Sequence, residues 1–206
     1  GNSLCANKIK KNDFDYLVSI PPFGQFWGGQ REAIEKGPLA EFAPALPSKS
    51  DSSFLFLLDQ INRMKSFEAG GSRASILLFG LPLFKGSTKS GENKIREYLL
   101  KEDLLEAIIA LPEKLFYTTS IPTFIWILSN NKNTNLKNKV CFINAKDFVL
   151  QQKSSGEKRE IIPNHDIEII QRHYAEILSS GSVDDNNFKI IDSNKFFKKE
   201  VFISAK

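Results

Sequence analysis

The chain has 206 residues, 41% hydrophobic and 25% charged, which is enough apolar content for a buried core and too much for a disordered chain. A net charge of +4 and a pI near 8.9 are a mild basic bias, not a nucleic-acid signature in themselves. No apolar run approaches the ~20 residues of a membrane helix, and residues 1–10 lack the apolar stretch of a signal peptide. A soluble chain is expected. Cys5 and Cys141 stand far apart with no CxxC or Cys/His spacing, which argues against a disulfide scaffold or structural zinc and for a reducing, cytoplasmic setting. The only methionine is Met64, so the chain is expected to be a processed form or a piece of a longer protein.

Asp15–Ile20 is a short apolar run halted by Pro21-Pro22, the pattern of a buried strand, since proline removes the next ladder donor. Residues 24–50 are rich in Gly, Pro and small side chains and read as a long loop with one short helical turn. Ser50 or Asp51 is placed to cap a helix carrying Phe54, Leu57, Leu58, Ile61 and Met64 on one face, with Gly70-Gly71 ending that unit. Ala74–Phe79 is a second strand. After a polar loop at 85–91 a helix turns Ile95, Leu99 and Leu100 inward. Glu106–Leu111 and Thr123–Leu128 are a third and fourth strand. Asn130–Lys139 reads as a hairpin-like connector to a fifth strand at Val140–Asn144. Asn164 is placed to cap a last helix bearing Ile167, Ile170, Tyr174 and Ile177, and residues 181–206 read as an extended polar tail.

Strands separated by helices and apolar on both faces predict an α/β fold with a layered, largely parallel sheet. Ligands of such sheets sit at the carboxyl ends of the strands near a switch point. No Gly-rich strand-to-helix turn precedes the first strand, so the chain reads as the second half of a doubly wound domain.

Most chemical motifs fail on inspection. His165 and His173 fall on the polar side of the last helix, with no GxSxG elbow for them to serve, and eight helical residues set their rings about 80° apart, which is poor for a shared metal. Gly86–Gly91 begins like a phosphate loop, but Glu92 and Asn93 stand where Lys and Ser or Thr are needed. Basic residues cluster at Lys132, Lys137 and Lys139, at Lys153, Lys158 and Arg159, and at Lys195, Lys198 and Lys199. Such runs suit a phosphate backbone, or simply a solvated surface. One segment stands out: Ser19-Ile20-Pro21-Pro22-Phe23-Gly24 puts a rigid turn and an aromatic ring at the end of a strand.

The stretch Phe14–Gly24 resembles the strand ending in Asn-Pro-Pro-Phe-Gly of the N6-adenine DNA methyltransferases, in particular the methylation subunit of type I restriction-modification systems. The similarity continues through Ser48–Phe54, through Gly70–Ala74 to Phe84-Lys85-Gly86, and through Lys94–Leu100 with Leu104–Pro112. It includes Leu115-Phe116-Tyr117-Thr118-Thr119-Ser120-Ile121-Pro122-Thr123, and the match as a whole covers residues 14 to about 178 in order. The resemblance implies a Rossmann-like, S-adenosylmethionine-dependent methyltransferase sheet, with the carboxyl-terminal half of the catalytic domain in residues 1–150. It implies methyl transfer to the N6 of a flipped adenine, and DNA, a specificity subunit and a restriction subunit as partners. Residues 151–206, a helix and tail, are the expected partner contact from Asn164 onward.

Carried over by position, Ile20, Pro21, Pro22 and Phe23 form the catalytic turn. Phe23 stacks on the extruded base and Pro21 supplies a backbone acceptor for the N6 amine. Ile20 stands where the family has Asn and brings no acceptor, which leaves one N–H of the base unpartnered at a cost of about 1–3 kcal/mol. Phe79-Gly80-Leu81-Pro82 departs from the family's Pro-Asn-Gly, and the family's Gly-rich cofactor motif is not in the sequence. Two readings follow: a piece of a methyltransferase, inactive alone, or a scaffold that keeps only assembly or DNA binding.

Overall fold

The computed structural model describes residue 4 and residues 14–116, 120–148, 150–154 and 157–197. Its centre is a six-stranded sheet ordered β1-β2-β4-β3-β5-β8, formed by β1 (Tyr16–Ser19), β2 (Arg73–Phe79), β3 (Leu105–Ala110), β4 (Thr123–Ser129), β5 (Lys139–Asn144) and β8 (Phe188–Asp192). A separate hairpin pairs β6 (Leu150–Ser154) with β7 (Glu157–Ile161). The sheet is mixed. β1–β2 and β3–β5 are parallel, whereas β4 runs antiparallel to both β2 and β3, and β8 antiparallel to β5. The expected largely parallel sheet is therefore corrected: β4 is a reversed strand inserted between β2 and β3. Antiparallel strands alternate one face at a time and are hard to tell from buried parallel ones by apolar content.

One face is covered by α3 (Ser53–Asn62) and α5 (Gly91–Lys101). Phe54, Leu57, Leu58, Ile95 and Leu99 share a core with Ala74, Ile76, Leu78, Ile108, Trp126 and Leu128, so the helical spacing read from the sequence is the spacing that packs. Truncating any one of these leucines is expected to cost roughly 2–5 kcal/mol. Asp51 Oδ1 accepts the amide of Ser53 at 3.0 Å and its hydroxyl at 2.7 Å, opening α3. The other face receives α6 (Asn164–Ser180), whose Ile170, Tyr174 and Ile177 meet Ala107, Cys141, Ile143 and Phe188. Asn164 lies inside α6 and Pro163 holds the cap position, because proline's fixed φ suits the start of a helix.

Several expectations change. Residues 24–50 hold two short helices, α1 (Arg31–Glu35) and α2 (Pro38–Phe42), whose Ile34 and Leu39 enter the core. A further turn of helix, α4 (Leu81–Phe84), follows β2. The stretch 130–139 is no hairpin, since β4 and β5 lie on opposite sides of β3. The presumed tail contributes β8, which closes the sheet against β5. Alternating Phe188, Ile190 and polar neighbours carry that strand signal in a stretch dominated by polar residues.

β1 also differs from expectation. It is an edge strand with only Leu17 and Ser19 turned toward the core, and Val18 is 80% exposed and Ile20 70%. The apolar run is real, but within the described residues nothing covers its second face.

Candidate active site at the carboxyl end of β1

Past Ser19 the chain leaves the sheet. Ile20 is exposed, Pro21 buried, Pro22 exposed and Phe23 half-buried. Gly24 follows with φ +61, a left-handed turn that glycine accepts at no steric cost. The Phe23 ring lies 5.8 Å from that of Phe79 at an interplanar angle of 49°. The turn after β1 therefore rests on the last residue of β2. Phe79 is buried, so it is a floor for Phe23 rather than a contact of its own, a role that only the parallel pairing of β1 with β2 reveals.

Around this turn the connections are tied down from below. The buried Arg96 of α5 donates from Nη1 to the carbonyls of Pro82, at 2.9 Å, and Lys85, at 3.0 Å. That fixes the segment after β2 that carries Leu81 and Phe84. Burial pulls the Arg96 guanidinium below its ordinary value, opposed by the charges of Glu92 and Glu97. Oε1 of Glu92 accepts the Ser48 amide at 2.9 Å. Burial resists ionisation of Glu92, but hydrogen bonds from Ser48 and Ser90 outweigh it and hold the carboxyl below its usual range. Trp27, buried, donates from Nε1 to the Ser48 carbonyl at 2.9 Å. The residue that rules out a phosphate loop in the sequence thus has a structural role.

The other residues singled out by sequence are scattered. His165 is exposed near Asp166, while His173 is mostly buried, with Nδ1 3.0 Å from Asp185 Oδ2 and its ring edge-on to Phe188. The polar-side placement of His173 is thereby corrected: it packs between α6 and β8. Lys132 is buried and paired with Asp103 at 2.5 Å, and is spent on that contact rather than offered to a phosphate. The side chains of Lys153, Lys158 and Arg159, like Cys5, Tyr117–Thr119, Lys198 and Lys199, lie outside the described residues. Cys141 is buried, and loss of solvation with the nearby Glu106 charge pushes its thiol up to about 12.

At the opposite, amino end of the strands sits a polar cleft lined by Asp15, Ser72, Arg73 and Asn131. Its guanidinium is engaged: Arg73 Nε lies 3.0 Å from Oε1 of the fully buried Glu106, and Nη2 donates to Oε2 at 3.2 Å. The Tyr174 hydroxyl donates to the same carboxylate. Burial and that charge push the Tyr174 phenol far above its ordinary value. Glu106 points inward at an irregularity in β3, where the register shifts between Leu105 and Ala107, as a bulge re-aims a side chain. This is a tie between sheet and α6.

The sequence pattern of the N-6 DNA methylase family matches residues 1–200. The chain belongs to that family. Among its relatives, the MjaVII type I restriction enzyme methylase subunit of Methanocaldococcus jannaschii is 32% identical over 151 residues, covering 70% of this chain and 24% of the relative. The HindI type I methylase subunit of Haemophilus influenzae is 31% identical over 136 residues, or 65% and 28% of the two chains. The type I restriction-modification methyltransferase subunit of Streptococcus thermophilus superposes with a TM-score of 0.76 at 25% identity, covering 96% of this chain and 38% of that one. A modification subunit from Vibrio vulnificus shares the fold, with a TM-score of 0.65 at 19% identity, over 95% and 37%. The chain thus spans about a quarter of the length of the curated relatives it matches. The resemblance read from Phe14–Gly24 onward is borne out, and the six-stranded α/β sheet is the fold of N-6 DNA methylase relatives.

Proposed function

We propose that this N-6 DNA methylase chain forms the target-base side of a type I restriction-modification methyltransferase that modifies adenine N6 in DNA. The observation that carries this reading is the turn Ile20–Phe23 at the carboxyl end of β1, seated on Phe79 at the end of β2. Phe23, half-buried with its ring braced from below, is shaped to stack on an extruded base and to offset part of the few kcal/mol that unstacking costs. Pro21 supplies a backbone carbonyl for one N–H of the amine. That bond favours a more nucleophilic nitrogen, because it holds the amine out of conjugation with the ring.

S-adenosylmethionine is the methyl donor of the family reading. The described residues of the turn and of α4 do not fit it: Ile20, Pro22, Phe23, Leu81 and Phe84 offer apolar contact, and none of them is a carboxylate for a ribose. A donor-binding half is therefore assigned to a longer form of the protein, with its strands continuing the sheet along the free edge of β1. The carboxyl-terminal portion, 151–206, is proposed as a contact for specificity and restriction subunits, with DNA as substrate and the cytoplasm as setting. No helix among the described residues is long and apolar enough to cross a membrane.

Ile20 favours a second reading, an assembly or DNA-binding scaffold without transfer, since its exposed alkyl side chain accepts no hydrogen bond. The test is labelled methyl transfer into DNA by the longest natural form of the gene product, purified with its specificity subunit, as Ile20 and as Ile20→Asn. Transfer by the natural Ile20 form supports the methyltransferase reading, whereas transfer by the Asn form alone assigns the natural chain to the scaffold. Absence of transfer from both forms, with DNA bound, overturns it.

A further inference from the structure

Beside the Phe23 turn lies a second, unassigned surface. Phe84, at the end of α4, is 61% exposed, and Leu81 and Ile121 stand out of the surface with it. Phe84 lies against Gly80: a side-chain carbon there would lie 3.7 Å from the Phe84 ring, 3.4 Å from the Phe124 ring and 3.8 Å from the carbonyl of Pro122, the neighbour of Ile121. Phe23 rests on Phe79 and Phe84 lies against Gly80, so two rings flank the same strand end.

The ledge is rigid from beneath and basic at its rim. Arg96 clamps the carbonyls on either side of Phe84, at Pro82 and Lys85. The two adjoining segments, 46–52 and 80–92, carry Lys49, Lys85 and Lys89 against only two acids, Asp51 and Glu92. Both acids are buried and consumed internally, Asp51 by Ser53 and Glu92 by Ser48. Lys85 Nζ donates to the neutral Ser50 hydroxyl at 2.8 Å, which ties the two segments together. An exposed aromatic on a fixed backbone, on segments that carry three lysines with no ion pair among the described residues, fits an unstacked nucleotide and its phosphates: every base has a face to stack, and ammonium groups meet the backbone.

We propose that Phe84, with Leu81 and Ile121, is a second stacking platform that receives a DNA nucleotide neighbouring the target base, its phosphates held by Lys49, Lys85 and Lys89. This rests on the DNA reading above and adds a positioning residue to it. Holding the neighbour fixes the strand on which the target is extruded, so the platform acts on binding and not on the methyl group.

The test uses the 206-residue chain and a fluorescein-labelled single-stranded oligodeoxynucleotide, with binding followed by anisotropy. The natural tryptophans, Trp27 and Trp126, are 4% and 1% exposed, so a tryptophan placed at Phe84 reports its own surroundings. Phe84→Trp is expected to bind as the natural chain does and to lose emission when unlabelled oligonucleotide is added. Phe67→Trp, on a residue equally exposed at the amino end of β2, is expected to keep its emission. Phe84→Ala should bind about tenfold more weakly. Replacing all three lysines by Ala should flatten the salt dependence by about 0.7 in log–log slope for each lost contact. If anisotropy shows binding while Phe84→Trp stays bright, or both reporters dim alike, the platform is wrong and the DNA reading stands. If the natural chain binds no oligonucleotide, the platform falls, and the methyl-transfer assay decides the DNA reading separately.

Discussion

The Ser48 amide donates to Glu92 Oε1 at 2.9 Å, joining segments 44 residues apart at the rim of the candidate site. Because the native fold holds the Glu92 carboxyl below its ordinary value of 4.5, its contribution to stability is full above that pH. It is lost as pH falls through the lower native value. Trp27, bonded to the Ser48 carbonyl, reports the event. Its emission is expected to shift to the red in that acid range, and Glu92→Gln should remove the step. A step that persists in Glu92→Gln assigns it to another carboxylate.

The same contact explains a glycine. A side-chain carbon on Gly91 would fall 1.8 Å from the Leu46 carbonyl oxygen, so the first turn of α5 and the 46–50 segment touch backbone to backbone. Gly91→Ala is expected to push that segment away and destabilise the chain, with Trp27 emission already red-shifted at neutral pH. Gly29→Ala, where nothing lies within 4 Å of the added carbon, is the control, and equal effects in thermal melts would refute the contact.

Glu106 is fully buried and satisfied by Arg73 and Tyr174. Removing one partner of a buried charge costs about 3–5 kcal/mol. Arg73→Ala is expected at the low end, since that side chain is 37% exposed. Tyr174→Phe loses one hydrogen bond to a charge and should cost about 1.5–3 kcal/mol. Urea unfolding of both singles and of the double variant measures the coupling. Strictly additive effects would mean the two side chains do not share the carboxylate.

Cys141, buried and with its thiol raised to about 12, should be inert to thiol reagents in the native chain. In a Cys5→Ser background, maleimide labelling is expected only in denaturant. Rapid native labelling would show that α6 lifts off β5 in solution.

Local patterns with one physical cause were readable from the residues. The helical spacing of Phe54, Leu57, Leu58 and Ile61, or of Ile95 and Leu99, is packing against one sheet face and nothing else, so α3 and α5 follow directly. The Ile20–Phe23 turn was legible because two prolines after an apolar run leave few conformations. What escaped depends on partners far along the chain. Phe79 becomes the floor of the site only through the register of β1 on β2, and Arg96 through carbonyls 14 and 11 residues upstream. The open face of β1 could not be read either, since Tyr16 and Val18 look like core residues in any list of side chains.

The insertion of β4 between β2 and β3 also governs how the chain is built. β3 leaves the ribosome before the strand that joins it to β2, so a nascent chain shorter than Thr123 holds two Ile- and Leu-rich strands with no ladder between them. Such bare edges are where chains stick to one another or to chaperones. The seven residues of β4 act as a keystone that arrives late. Released chains ending at Ala110 are expected to stay protease-sensitive and chaperone-bound, and chains reaching past Ser129 to become more resistant.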